Sequence, residues 1–143
     1  MRMTGMTGLA AVLAGSLWAG VAAAEGPKDF KEAMQTLDQD FRALTSAVMR
    51  EEWDAMVQAA GDIAHHPRPP LAFRKRVMGI LGPEAAGFKM VDEDVHKGSA
   101  RLLQAAKRKD LEGVMRQYHR VSQGCVDCHT SYRQTIRDGL AEQ

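Results

Sequence analysis

The amino-acid sequence predicts an all-α protein, an antiparallel up-down-up-down four-helix bundle. Three observations predict it. Apolar residues recur in steps of three and four along four segments, no alternating apolar-polar stretch of useful length occurs, and His66-Pro-Arg-Pro-Pro70 with Gly82-Pro83 and Gly87 bounds one long connection between segments. A stripe at that spacing faces one way only on a helix, and four such helices bury their stripes most simply against one another.

Taken from the start, residues 1–24 carry Arg2, an apolar run from Leu9 to Val21 and then Ala22-Ala23-Ala24 before polar Glu25. This is the grammar of a cleaved signal peptide. A retained membrane anchor needs about 20 apolar residues without interruption, and this run is shorter and rich in Ala and Gly. Cleavage after Ala24 leaves residues 25–143 as one domain, exported to a periplasm and with no membrane segment of its own. Loss of Arg2 leaves Lys+Arg equal to Asp+Glu at 18 each. That balance excludes a nucleic-acid binder driven by bulk charge. With 45% apolar and 26% charged residues, the chain is neither disordered nor fibrous.

The first helix follows from Phe30, Met34, Leu37, Phe41, Leu44 and Val48, and a break is expected at Arg50-Glu51-Glu52. Trp53, Met56, Ala60 and Ile63 mark a second helix that ends before Pro67. Segment 66–87 reads mainly as a long connection with room for one short helix from Leu71 to Ile80, and it closes with Gly82-Pro83 and Gly87. The third helix carries Phe88, Val91, Val95, Leu102 and Ala106 inward, allows close packing at Gly98-Ser99 and places Lys107-Arg108-Lys109 at its negative dipole end. Asp110 is the expected N-cap of the fourth helix. Its stripe runs Leu111, Val114, Tyr118, Val121, Cys125, Cys128 and Tyr132. Met49, Met56 and Met115 are expected as core filler, and the terminal Gly139-Leu-Ala-Glu-Gln is expected to fray.

Cys125-Val-Asp-Cys128-His129 carries the chemistry, since C-x-x-C-H is the attachment sequence for c-type haem. On a helix the three side chains leave one face within a single turn. Two thiols then join the porphyrin as thioethers while the imidazole reaches the iron from the same side. The other readings of a cysteine pair fit less well. A structural zinc site needs four closed ligands and the chain has no second pair. A thioredoxin-type dithiol expects a βαβ setting, and a disulfide within the motif would strain the helix and leave His129 unexplained.

With this motif near the C-terminus, continued as Thr-Ser-Tyr132-Arg133, and with Met34-Gln-Thr-Leu37-Asp-Gln-Asp-Phe41 in the first helix, the chain resembles the class II cytochromes c. That group comprises the cytochrome c′ family and its low-spin relatives. The resemblance covers residues 28–138. It implies one covalently attached haem c, His129 as proximal ligand, and a position matching Met34 on the distal side of the iron. The family often places an Arg-Gln pair upstream, its arginine on a propionate; the matching stretch here is Phe30-Lys31, where Lys31 replaces it as a point charge. The resemblance also suggests a homodimer through the first two helices.

Bundle topology narrows the sixth ligand. Met34, near the start of the first helix, shares one end of the molecule with His129, and Met90 remains a rival there. His119 lies ten residues back along the same helix, about 15 Å away, and is excluded. His96 is two turns further up, and His65 and His66 border the connection. Met78, in that connection, has no positional claim on the iron. Tyr132 and Arg133 follow the proximal ligand by three and four residues, and Arg133 is a candidate propionate partner. If Met34 binds, the iron is saturated and suits electron transfer between redox partner proteins. If it only packs, a five-coordinate iron open to nitric oxide or another small gas results. Phe30, Leu37 and Phe41 wall that side with apolar surface, which argues against an enzyme such as a peroxidase.

Overall fold

The computed structural model describes residues 26–142, so the predicted export segment lies outside the described residues. Among them the chain is helical: α1 (Phe30–Met49), α2 (Trp53–His65), α3 (Leu71–Leu81), α4 (Ala85–Lys107) and α5 (Leu111–Ala141), with a 3-10 turn at Gly82–Glu84. No described helix is long and apolar enough to cross a membrane. The four predicted helices are α1, α2, α4 and α5. The short helix in the connection is α3, and α4 starts at Ala85, so Gly87 lies inside it instead of closing the connection.

Two turns of identical construction make the helical hairpins. After α1, the Glu51 N–H donates to Val48 O at 3.2 Å and the Glu52 N–H to Ala47 O at 2.9 Å. After α4, Lys109 and Asp110 donate to Ala106 O and Ala105 O, both at 3.0 Å. These are Schellman closures, which satisfy the last carbonyls of a helix and need one left-handed residue. That residue is Glu51 (φ 54°) in one turn and Lys109 (φ 55°) in the other, although glycine would adopt it with less strain. Asp110 then caps α5 as predicted, accepting from the Gly113 N–H at 2.8 Å.

The main core joins Leu44 and Ala47 of α1 to Met56, Ala60 and Ile63 of α2, Leu102 and Ala106 of α4, and Val114 of α5. At Gly98 α4 meets α5 closely, and a Cβ there would lie 3.0 Å from Val121 Cγ2, tighter than ordinary contact. Met56 is wholly buried, as expected of core filler, but Met49 and Met115 are 69% and 43% exposed. Each directly follows a buried valine, Val48 or Val114, and so points about 100° further round its helix, away from the core.

A second cluster occupies the other end of the bundle. Val77 and Leu81 of α3 and Ile136 of α5 form its centre, with Phe30, Phe73, Phe88, Tyr132 and Leu140 packed around them. Phe30 meets Phe73 edge-on at 5.4 Å and stacks on Phe88 at 5.9 Å, and Phe88 meets Tyr132 edge-on at 5.6 Å. The expected fraying of the C-terminus is therefore corrected: α5 runs to Ala141, because Leu140 is held in this cluster and Gly139 lies against Ile80, where a Cβ would come within 2.6 Å.

At the end of α2, His66 stacks on His96 of α4 with ring centroids 4.7 Å apart. Their Nδ1–H groups donate to Ile63 O at 2.9 Å and Ala64 O at 3.1 Å, two carbonyls of the last turn of α2. Burial, opposed by the bond to Ile63, holds the His66 pKa below its ordinary 6.5, with His96 beside it acting in the same direction as burial. The unfolded chain then binds a proton that the folded chain resists. The neutral ring stabilises the fold fully above pH 6.5, and that contribution is lost as pH falls through the depressed folded value. The urea midpoint is expected to drop as pH falls below about 6.5, and less so in His66→Phe, which keeps the stack without the titration. Equal pH dependence in the two proteins would contradict this.

Candidate haem site

The motif lies on unbroken α helix, well inside α5. Cys125 and Cys128 are half-buried, unlinked thiols, and His129 is exposed. Burial raises both thiol pKa values, that of Cys128 to about 11, with Asp92 of α4 and Cys125 adding to the effect. Both are thus protonated at neutral pH, the form whose S–H adds across a vinyl group. Cys128 continues the α4-facing row of Val121 and Gly124, the latter against Val95. Cys125 and His129 instead follow Tyr118 at seven and eleven residues, on the same face of the helix.

That face looks toward α1. Cα atoms within 8 Å join α1 to α2, α2 to α4 and α4 to α5, but among the described residues no Cα of α1 lies that close to any Cα of α5. Side chains close the gap instead. Phe41 stacks on Tyr118 at 5.3 Å with the rings 15° from parallel, and Thr45 Oγ1 is 3.0 Å from the Tyr118 hydroxyl.

This bridge fixes the level of the two helices. Met34 precedes Thr45 by eleven residues, and His129 follows Tyr118 by eleven. In an antiparallel pair, both steps run about 16 Å toward the same end, and each returns to within about 20° of its starting face. Met34 and His129 are therefore level and on facing sides of the wide α1–α5 gap. Met34 is 41% exposed, beside half-buried Leu37 and Phe41.

The other candidates are placed elsewhere. Met90 is level with His129 along α4, but it is 69% exposed and points about 120° away from the row Phe88, Val91, Val95 and Gly98 that faces α5. His96 is engaged with α2, His65 binds Gly61 O through Nδ1 at 2.9 Å, and His119 is exposed. Lys31 and Arg133 are exposed and enter no ion pair among the described residues. Tyr132 lies in the aromatic cluster, its ring on Phe88 and its hydroxyl against Gly87.

Sequence reasoning did not foresee two parts of this site. Tyr118 and Phe41 stood in their stripes, but nothing local pairs one with the other. The short helix expected from Leu71 to Ile80 forms α3, which carries Phe73, Val77 and Leu81 on one face, and nothing local says that this face packs on α5 beside the motif.

The arrangement fits a covalently attached haem: two protonated thiols and an imidazole from one stretch of α5, and, across a gap wider than helix packing needs, a thioether sulfur in an apolar wall. Residues 83–133, which include the motif, match the family model described as Cytochrome C'. No curated protein and no solved structure matches the chain.

Proposed function

From the premise that the chain is a class II cytochrome c of the cytochrome c′ family, a haem c-type cytochrome, we propose that it carries single electrons between periplasmic redox proteins through one haem c. Cys125 and Cys128 would hold the haem by two thioethers, and His129 and Met34 would bind its iron. One observation carries the reading: the Thr45–Tyr118 contact sets Met34 level with His129 on the opposite wall. The haem iron supplies the one-electron chemistry when bound. The chain's own residues do the rest. His129 and Met34 together would leave the iron no open position, a combination that raises the potential. Leu37 and Phe41 keep water from the distal side. Lys31 and Arg133, without an ionic partner among the described residues, are free to neutralise propionates. The apolar distal wall supports a carrier over an enzyme. Export rests on the segment 1–24, and a homodimer through α1 and α2 on the family resemblance.

The test is the ferric spectrum of the purified, exported protein. A low-spin spectrum with a sulfur-to-iron charge-transfer band is expected, and a high-spin spectrum would assign the protein instead to the binding of nitric oxide or a similar gas.

A further inference from the structure

We propose that Tyr118 is a positioning residue: held by Thr45 and Phe41, it sets the separation of α1 and α5 and so the room on the distal side of the iron. The proposal rests on the haem site assigned above. Thr45 Oγ1 has one proton and gives it to Phe41 O at 2.8 Å, so the contact at 3.0 Å must be donated by the Tyr118 hydroxyl. The phenol is thus fixed at both ends, its ring on Phe41 and its oxygen on Thr45. No other hydrogen bond joins α1 to α5 among the described residues.

Elsewhere in the bundle, small residues let the backbones approach: Ala47, Ala59, Ala60, Ala105 and Ala106 are all buried where helices meet. Between α1 and α5 two stacked rings stand in place of such an approach. Helices meet at about 8–10 Å between axes when their side chains interdigitate, and a pair of large rings set face to face keeps them wider. Both helices continue unbroken from the bridge to the ligand positions, α1 back to Met34 and α5 on to His129. A change of spacing at the bridge is therefore carried along stiff rods to the iron, three turns away.

The test uses the haem-loaded protein and two variants. Tyr118→Ala removes the spacer, and Tyr118→Phe keeps the ring but drops the hydroxyl. Carbon monoxide association with the ferrous iron is timed, and the ferric spin state is read from the spectrum. Because a misplacement of about 1 Å near a reacting centre can change a rate by about 10², the alanine variant is expected to change the association rate by at least about tenfold, with an altered spin-state mixture. The phenylalanine variant keeps the stack on Phe41 but loses the hold on Thr45, so it should shift the rate in the same direction by only a few-fold, and a shift as large as that of alanine would overturn the ring as spacer. An alanine variant with the parent's rate and spectrum overturns the proposal, even if its melting temperature falls. Should Tyr118→Ala fail to mature, Phe41→Leu removes the other half of the stack and is read the same way. Failure of the His129/Met34 reading is separately visible, as a high-spin spectrum in the unsubstituted protein, and the carbon monoxide rate still reports on the bridge in that event.

Discussion

Met34→Ala is expected to convert a low-spin ferric protein to a high-spin one and to abolish the sulfur-to-iron charge-transfer band. The substitution removes the one sulfur level with His129 on the facing wall of α1. An internal ligand that occupies the iron 99% of the time lowers the apparent affinity for an external one about a hundredfold, so carbon monoxide binding to the ferrous variant should tighten by on the order of 10². The stability of the haem-free polypeptide should change little. At 41% exposure, Met34 contributes far less than a wholly buried residue such as Met56, whose truncation to alanine would cost about 2–5 kcal/mol. A loss of low-spin character in the haem-loaded variant, at constant urea midpoint of the haem-free one, therefore separates ligation from packing. Met90→Ala serves as the control, since its side chain points away from α5; if that variant changes spin state and Met34→Ala does not, the ligand assignment moves to α4.

The second large effect is expected from Cys125→Ala combined with Cys128→Ala. With both thiols gone, the exported protein should be isolated at the mass of the bare polypeptide and without covalent haem, which mass spectrometry and the absorption spectrum read directly. His129→Ala separates attachment from ligation: both thioethers form, the mass includes the haem, and the proximal nitrogen alone is missing. Covalent haem persisting in the double cysteine variant would place the attachment on other residues and undo the site.

The parts of this molecule legible in the sequence are those set by local spacing. The stripe from Phe30 to Val48, the Asp110 cap and Cys125-Val-Asp-Cys128-His129 each depend on residues within a few turns of one another, and each has its counterpart in the structure. What the sequence leaves open is which stripe meets which. Tyr118 packs on Phe41 and Thr45 rather than on α4 because its place on α5 faces α1, a pairing of two helices that no single helix encodes. The same holds for α3, whose spacing marks a helix but whose docking on Ile136 and Gly139 depends on the connection folding back. Chain position alone puts Met34 and Met90 at the same end of the bundle. Angular phase separates them, and phase becomes meaningful only when the facing neighbour is known. Met49 and Met115 show the same limit: one residue beyond a core valine is already outside.

The width of the α1–α5 gap also bears on how the molecule breathes. Among the described residues α1 is in close backbone contact with α2 only, whereas α4 is flanked closely by both α2 and α5. Held closely by one neighbour instead of two, that outer arm is expected to detach more readily, and amide hydrogens in α1 to exchange sooner than those of α4. A prosthetic group bonded to α5 and gripped by a sulfur from α1 would act as a clasp across this looser flank, and the redox centre would then be a structural tie as well as an electron store.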